Sequence, residues 1–258
     1  GGVSHLFKKN KIAHITGSGR LLGGGAVEVT SADGTKETYT SDHIVVATGS
    51  RPREIPVLPI DEKAIWSSTG ALFQKEAPAS LAVVGAGAVG MEFADIYNAY
   101  GSKVTVIESL ERILPVEDAD SSATLQRSFK KRGIAFHTGA TVKKTVIGEG
   151  SVKLVFEGKD SNRHELEVES VLCAVGRVPN TESLGLEEAG VEVDGQGFVI
   201  IDHHMRSSVR GVYAVGDCAG KQLLAHKAMH EGVVCVEAIA GEAHGSVDYA
   251  NVPNCTYC

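Results

Sequence analysis

Cysteine is scarce in this chain. Five residues, Cys173, Cys218, Cys235, Cys255 and Cys258, are scattered without a repeating spacing, which argues against a disulfide-stapled scaffold and makes a reducing compartment the expectation. Long apolar runs are missing as well. The longest, near residues 81–91, falls far short of the roughly 18 residues a membrane span needs. There is no basic excess: 25 Lys and Arg stand against 32 Asp and Glu, for a net charge of −7. Neither nucleic acid nor an anionic membrane is therefore an expected partner. The chain opens on Gly1-Gly2-Val3 rather than a charged segment, so no signal peptide is expected.

What is abundant is glycine, with 30 residues in 258. The most informative cluster lies within Leu81 to Glu108. Leu81-Ala82-Val83-Val84 reads as a buried strand, Gly85-Ala86-Gly87-Ala88-Val89-Gly90 as a turn, and Met91 to Tyr100 as a helix closed by Gly101. Lys103 to Glu108 is a second strand. A glycine motif with a strand before it and a helix after it signals a dinucleotide-binding βαβ unit. Gly85 permits the tight turn, Gly87 lets a pyrophosphate approach the backbone, and Gly90 lets the helix pack closely on the strand. The helix N-terminus offers N–H groups and a positive dipole end to phosphates. Glu108 falls roughly 20 residues on, where an acid binds the adenine-ribose hydroxyls and repels a 2′-phosphate, which favours NAD over NADP. Arg112, close by, weakens that preference slightly. Glu92 is expected on the first helical turn.

Around this unit the chain reads as an α/β protein of Rossmann-like, three-layer type. Residues 3–10 form a helix end, Lys11 to Thr16 a short strand, and Ala26 to Thr40 a hairpin turning at Asp33-Gly34. Ile44 to Ala47 is a buried strand with Thr48-Gly49-Ser50 at its C-terminal end, where open α/β sheets bind ligands. Pro52, Pro56 and Pro59 make a stiff connector. Asp118 to Arg132 is a helix. Three β segments follow near 141–147, 151–156 and 164–169, and Val171 to Arg177 is a further buried strand. Beyond Asn180 a new unit begins, with a strand at Val212 to Val215, then Gly216-Asp217, and a helix from about Leu223 to Ala240. The expected domains are 1–53 with 181–250, an intervening nucleotide-binding domain at 54–180, and a separate start at 251–258.

Several segments occur together in order: Leu6-Phe7-Lys8-Lys9-Asn10, Ala47-Thr48-Gly49-Ser50, Ser67 to Leu72, Gly85 to Gly90 with Glu92, Val175-Gly176-Arg177 with Pro179-Asn180, Gly211 to Asp217, and Leu224-Ala225-His226-Lys227-Ala228. The set resembles the dihydrolipoyl dehydrogenases of 2-oxoacid dehydrogenase complexes, within the pyridine nucleotide-disulfide oxidoreductases. The resemblance implies a complete NAD domain inserted in a partial FAD domain. It implies oxidation of the dihydrolipoamide of a lipoyl domain with NAD as acceptor, in a homodimer of the bacterial cytoplasm or mitochondrial matrix. Glu92, Val142, Gly176 and Arg177 carry over as NAD contacts. Asp217, Leu223, Leu224, Ala225 and His226 carry over as flavin contacts, together with Gly19, Thr48, Gly49 and Ser50. The family's redox Cys-x4-Cys and its His–Glu acid–base pair have no counterpart in these 258 residues, so a central segment of the enzyme is the expectation. Arg210 and Lys221-Gln222 depart from the usual Pro and Gly-Pro.

Simpler readings stand beside these. Val142 serves equally as core, and Glu92 as an acid that complements a helix dipole. Cys255-Thr256-Tyr257-Cys258 has redox or zinc spacing but no second ligand pair, and reads as the first strand of an interface domain. His226 and His230 lack the zincin glutamate. An NAD-binding module without dithiol activity, or part of an NADH oxidase or transhydrogenase, are the alternative functions.

Overall fold

The computed structural model describes residues 2–159, 161–242 and 245–258. Two compact units divide the chain, Gly1–Ser50 with Pro179–Val252, and Arg51–Val178 with Pro253–Cys258. In order, the chain forms α1 (Gly2–Lys9), β1 (Ser18–Gly23), β2 (Ala26–Thr30), β3 (Lys36–Thr40), β4 (Ile44–Val46), β5 (Ser50–Pro52), β6 (Ile65–Trp66) and α2 (Ser68–Leu72). It continues with β7 (Ser80–Val84), α3 (Ala88–Ala99), β8 (Lys103–Glu108), α4 (Ala119–Lys131), β9 (Ala135–Thr138), β10 (Thr141–Ile147), β11 (Val152–Glu157) and β12 (Arg163–Val168). The last elements are β13 (Ser170–Cys173), β14 (Arg177–Pro179), β15 (Val212–Ala214) and α5 (Ala225–Ala240).

The unit built on 51–178 has three layers. Its centre is a parallel sheet in the order β6-β13-β7-β8-β9. Successive side chains on a strand point to opposite faces. Leu81 and Val83 with Val104 and Val106 face the helices, where Met91, Phe93, Ala94, Tyr97 and Phe129 bury against them. Ala82, Val84, Ile107, Val171 and Cys173 face the antiparallel sheet β10-β11-β12, meeting Val142, Val152, Leu154 and Phe156. Helix α4 starts because the Asp118 carboxylate accepts the N–H groups of Asp120 and Ser121, the usual N-cap arrangement. Lys130 and Lys131 lie in its last turn, favourable to the helix dipole.

The other unit contains the meander β1-β2-β3 and the parallel pair β4-β15. Leu21, Val46, Leu186, Val212, Ala214 and Cys218 form its core. Helix α5 ends at Gly241, left-handed at φ 76. Among the described residues no helix is long and apolar enough to cross a membrane.

Three expectations are corrected. Lys11 to Thr16 forms no strand; the first strand of the meander is β1, with Leu21 opposite Val27. The hairpin is set by Gly23, Gly24 and Gly25, all at positive φ (80, 57 and 77), a turn conformation that side chains disfavour. The run Val171 to Arg177 is not one strand, because Gly176 at φ 112 breaks it between β13 and β14. Residues 252–258 form no strand; Pro253–Cys258 belongs to the same unit as Arg51–Val178, where the Tyr257 N–H donates to Glu92 Oε1 at 2.9 Å.

Candidate functional site

The glycine turn at the end of β7 is shaped by contacts a side chain would break. Gly85 has φ 100, and a Cβ there would meet the Ala174 carbonyl oxygen at 2.4 Å. A Cβ on Gly90 would meet the Gly85 carbonyl oxygen at 2.0 Å and Val83 Cγ1 at 3.3 Å. Gly87 is different: a Cβ there meets nothing within 4 Å. Its backbone is extended, at φ −73 and ψ −178, and no side chain caps the helix it begins. The first turn of α3 therefore presents its N–H groups without a side-chain acceptor. That turn contains no acid. Glu92 is the fifth helical residue and opens the second turn, which corrects its expected place.

Glu108 ends β8 and is 6% exposed. Its Oε2 accepts the Ala86 N–H at 2.6 Å. Its Oε1 accepts the Leu110 N–H at 2.7 Å and the Ser109 hydroxyl at 3.1 Å. One carboxylate thus joins the glycine turn to the turn after β8. A carboxylate has about four lone-pair sites, so a further donor can still be taken. Arg112 is engaged elsewhere: its guanidinium donates to the carbonyls of Pro115 and Glu117 at 2.9 and 3.0 Å.

A cleft of about 570 Å³ opens over this turn, within the range of small-molecule sites. Of the predicted residues, Gly85, Gly87, Ala88, Val89, Glu108, Val142, Gly176 and Arg177 line it. Ala86, Gly90 and Glu92 do not line it. Ala86 and Gly90 are buried under the turn, and Glu92 holds the Tyr257 N–H. Val142 is both wall and core, paired with Phe156 on β11. Sequence reasoning missed Ser68 and Cys173 as wall residues. Ser67, the N-cap of α2, was the available signal for the first. Burial pushes the Cys173 thiol up, which makes it an inert wall.

In the other unit, the C-terminal end of β4 carries a second cluster. The Ser50 hydroxyl donates to Asp217 Oδ2 at 2.6 Å. Thr48 Oγ1 donates to the Asn180 carbonyl at 2.6 Å, and the Asn180 N–H returns to the Gly49 carbonyl at 2.9 Å. Gly49 needs its positive φ of 71 for this turn. Thr48, Gly49, Ser50 and Asp217 are thereby gathered at the ends of two neighbouring parallel strands, β4 and β15. Gly19 lies in the meander, opposite Val29. Leu224 is the N-cap of α5, Ala225 and His226 begin it, and Leu223 is half-buried before it.

Sequence reasoning also missed what lies beneath Asp217. Lys227 and Glu231 are both 0% exposed. Lys227 Nζ donates to the carbonyls of Gly216 and Gly220 at 3.0 and 2.9 Å and lies 3.1 Å from Glu231 Oε2. Glu231 Oε2 accepts the Gly216 N–H at 2.7 Å, and its Oε1 accepts the Tyr249 hydroxyl at 2.8 Å. Burial first, and then Glu231, push the Tyr249 hydroxyl well above its ordinary value. It therefore stays a donor at neutral pH. The spacing i, i+4 was visible in sequence; its burial was not.

The five cysteines are all free thiols. Among the described residues, no group of three or more His, Cys, Asp or Glu side chains is placed to hold a metal ion.

Known proteins resemble the chain in sequence and in fold. The family model described as pyridine nucleotide-disulphide oxidoreductase matches residues 1–232. A dihydrolipoyl dehydrogenase of Rhizobium etli is 42% identical over 273 aligned residues, covering 100% of this chain and 56% of that protein. A mitochondrial dihydrolipoyl dehydrogenase of Arabidopsis thaliana is also 42% identical, over 99% of this chain and 50% of its own length. The crystal structure of LpdA from Mycobacterium tuberculosis superposes with a TM-score of 0.88 at 30% identity, covering 95% of this chain and 54% of that one. The chain spans about half the length of the curated relatives it matches.

Proposed function

Because the chain belongs to the pyridine nucleotide-disulphide oxidoreductase family, we propose that its 51–178 unit is the NAD site of a dihydrolipoyl dehydrogenase. In the proposed reaction, protein-bound dihydrolipoamide is oxidised to the lipoamide disulfide with NAD as acceptor. Its partners are the lipoyl domain of a 2-oxoacid dehydrogenase complex and a second copy of the same protein.

The observation that carries the reading is the position of Glu108. It lines the cleft, ends the strand after the glycine turn, and keeps capacity for another donor. The residues fit the nucleotide. Open space at Gly87 and the uncapped start of α3 suit a pyrophosphate. Glu108 accepts ribose hydroxyls and repels a 2′-phosphate, while Arg112 is held on its own loop. Gly176, where a Cβ also meets nothing within 4 Å, admits the nicotinamide end. When bound, NAD supplies a ring that takes up a hydride. The protein residues bind, orient and select it.

For FAD the fit is partial. Asp217, paired with Ser50 at the strand ends, suits a ribityl hydroxyl, and the start of α5 suits the polar edge of the ring. This chain's share of the family chemistry is thus nucleotide binding. Titration calorimetry of the 258-residue chain with NAD and NADP tests the reading; equal or tighter binding of NADP would sink the Glu108 assignment.

A further inference from the structure

We propose that the buried Lys227–Glu231 pair, with Tyr249 as its third member, positions Asp217 by fixing both ends of the turn that carries it. The inference rests on the reading of Asp217 as a flavin contact, and it adds residues that reading does not use.

The argument begins with the cost of the arrangement. Two fully buried charges are expensive to desolvate, and a well-packed apolar pair at the same positions is commonly as stable or more so. Global stability alone is therefore a poor account of the pair. Its bonds show what an apolar pair could not do. The turn Gly216–Ala219 is bounded by Gly216 at φ 76 and Gly220 at φ 74. Such a turn leaves backbone groups for the surroundings to satisfy. Three of them go to the pair: the Gly216 N–H to Glu231, and the Gly216 and Gly220 carbonyls to Lys227. Asp217 lies between those anchored glycines, and its carboxylate takes the Ser50 hydroxyl at 2.6 Å.

The other oxygen of Glu231 extends the device. It takes the Tyr249 hydroxyl, and Gln222 Nε2 donates to the Tyr249 carbonyl at 2.9 Å. The 3-10 turn Tyr249–Asn251 is thus fastened to the same carboxylate that holds Gly216. Lys221 completes the clasp, its ammonium 5.6 Å from the Tyr249 ring centroid.

The test compares the 258-residue chain with Lys227→Met, Lys227→Met/Glu231→Met and Tyr249→Phe. Three properties are read: the melting temperature, amide hydrogen exchange over residues 214–222, and FAD affinity by fluorescence titration. Lys227→Met should melt lower, because it strands a buried carboxylate. The double variant should recover most of that loss, yet residues 214–222 should exchange at least tenfold faster and FAD bind at least tenfold more weakly. Parental exchange in the folded double variant would overturn the proposal, since the turn would then hold its shape without the pair. If the parental chain takes up no FAD, the affinity comparison falls away, and exchange alone decides the positioning role. If neither methionine variant folds, Tyr249→Phe decides. It should keep the parental melting temperature within a few degrees and exchange at least threefold faster over 214–222; unchanged exchange there would overturn the proposal.

Discussion

Gly90 stands against the carbonyl of Gly85 so closely that a Cβ on it would lie 2.0 Å from that oxygen. Three residues earlier, Gly87 has open space where its Cβ would be. Folding thus demands Gly90, while Gly87 leaves the space that the proposed nucleotide needs.

Their substitutions should separate accordingly. Gly90→Ala should lower the melting temperature by several degrees, since backbone must shift. Gly87→Val should fold with near-parental stability, yet weaken NAD at least tenfold by filling the approach to the helix N-terminus. Thermal melts and calorimetry on both variants check this. Tight NAD binding by Gly87→Val would place the pyrophosphate elsewhere.

Replacing Glu108 should act twice. Glu108→Gln removes charge from a group that accepts two backbone N–H donors. A charge-assisted bond is worth about 1.5–3 kcal/mol, and NAD should weaken by an amount of that order. The ratio of NAD to NADP affinity should also fall. An unchanged ratio would show that the carboxylate serves only the turn.

The His137 ring packs 4.8 Å from Phe156 and 6.0 Å from His164. Burial first, and then the neighbouring His164, hold its imidazole below the ordinary histidine value. As pH falls, the unfolded chain takes up this proton before the folded one. His137 thus contributes stability above about pH 6.5 that is lost as pH drops through that value. In urea melts, the advantage of the parental chain over His137→Gln should shrink between pH 7.5 and 5.5. A constant difference would remove His137 from the acid response.

Cys258 is exposed, yet partial desolvation of its sulfur, then Asp95 and Glu92, push the thiol up to about 11. At pH 8 its thiolate fraction is on the order of one in a thousand. Iodoacetamide should therefore label it at least tenfold more slowly than an unstructured thiol peptide, and Glu92→Gln should speed the reaction. Mass spectrometry of the terminal peptide gives the rates. Fast labelling at neutral pH would restore a redox reading for the Cys255–Cys258 pair.

The fold of the 51–178 unit was legible because its signals are local and redundant. Strand, turn, helix and second strand follow one another from Ser80 to Glu108, and Gly85, Gly90 and Gly101 each have a geometric reason. Glu108 was readable as a strand-end acid, but its grip on Ala86 spans 22 positions and exists only once the sheet has formed. Lys227 and Glu231 defeat sequence reading for the opposite cause: their residue types are almost never fully buried, so their spacing reads as a surface pair. The first strand was misplaced because Lys11 to Thr16 and Ser18 to Gly23 are both plausible short strands. Only the left-handed glycines at 23–25 choose between them.

The bonds of Glu108 bear on how such a site can change its cofactor. On the proposed NAD reading, a lineage moving toward NADP gains from losing the acid, since a negative charge at that place repels a 2′-phosphate. That same loss leaves the Ala86 and Leu110 N–H groups without their acceptor. An apolar replacement thus loosens the turn. A neutral side chain that still offers an oxygen can drop the charge and keep accepting those N–H groups, so the turn restricts which residues can replace Glu108 rather than whether it can be replaced.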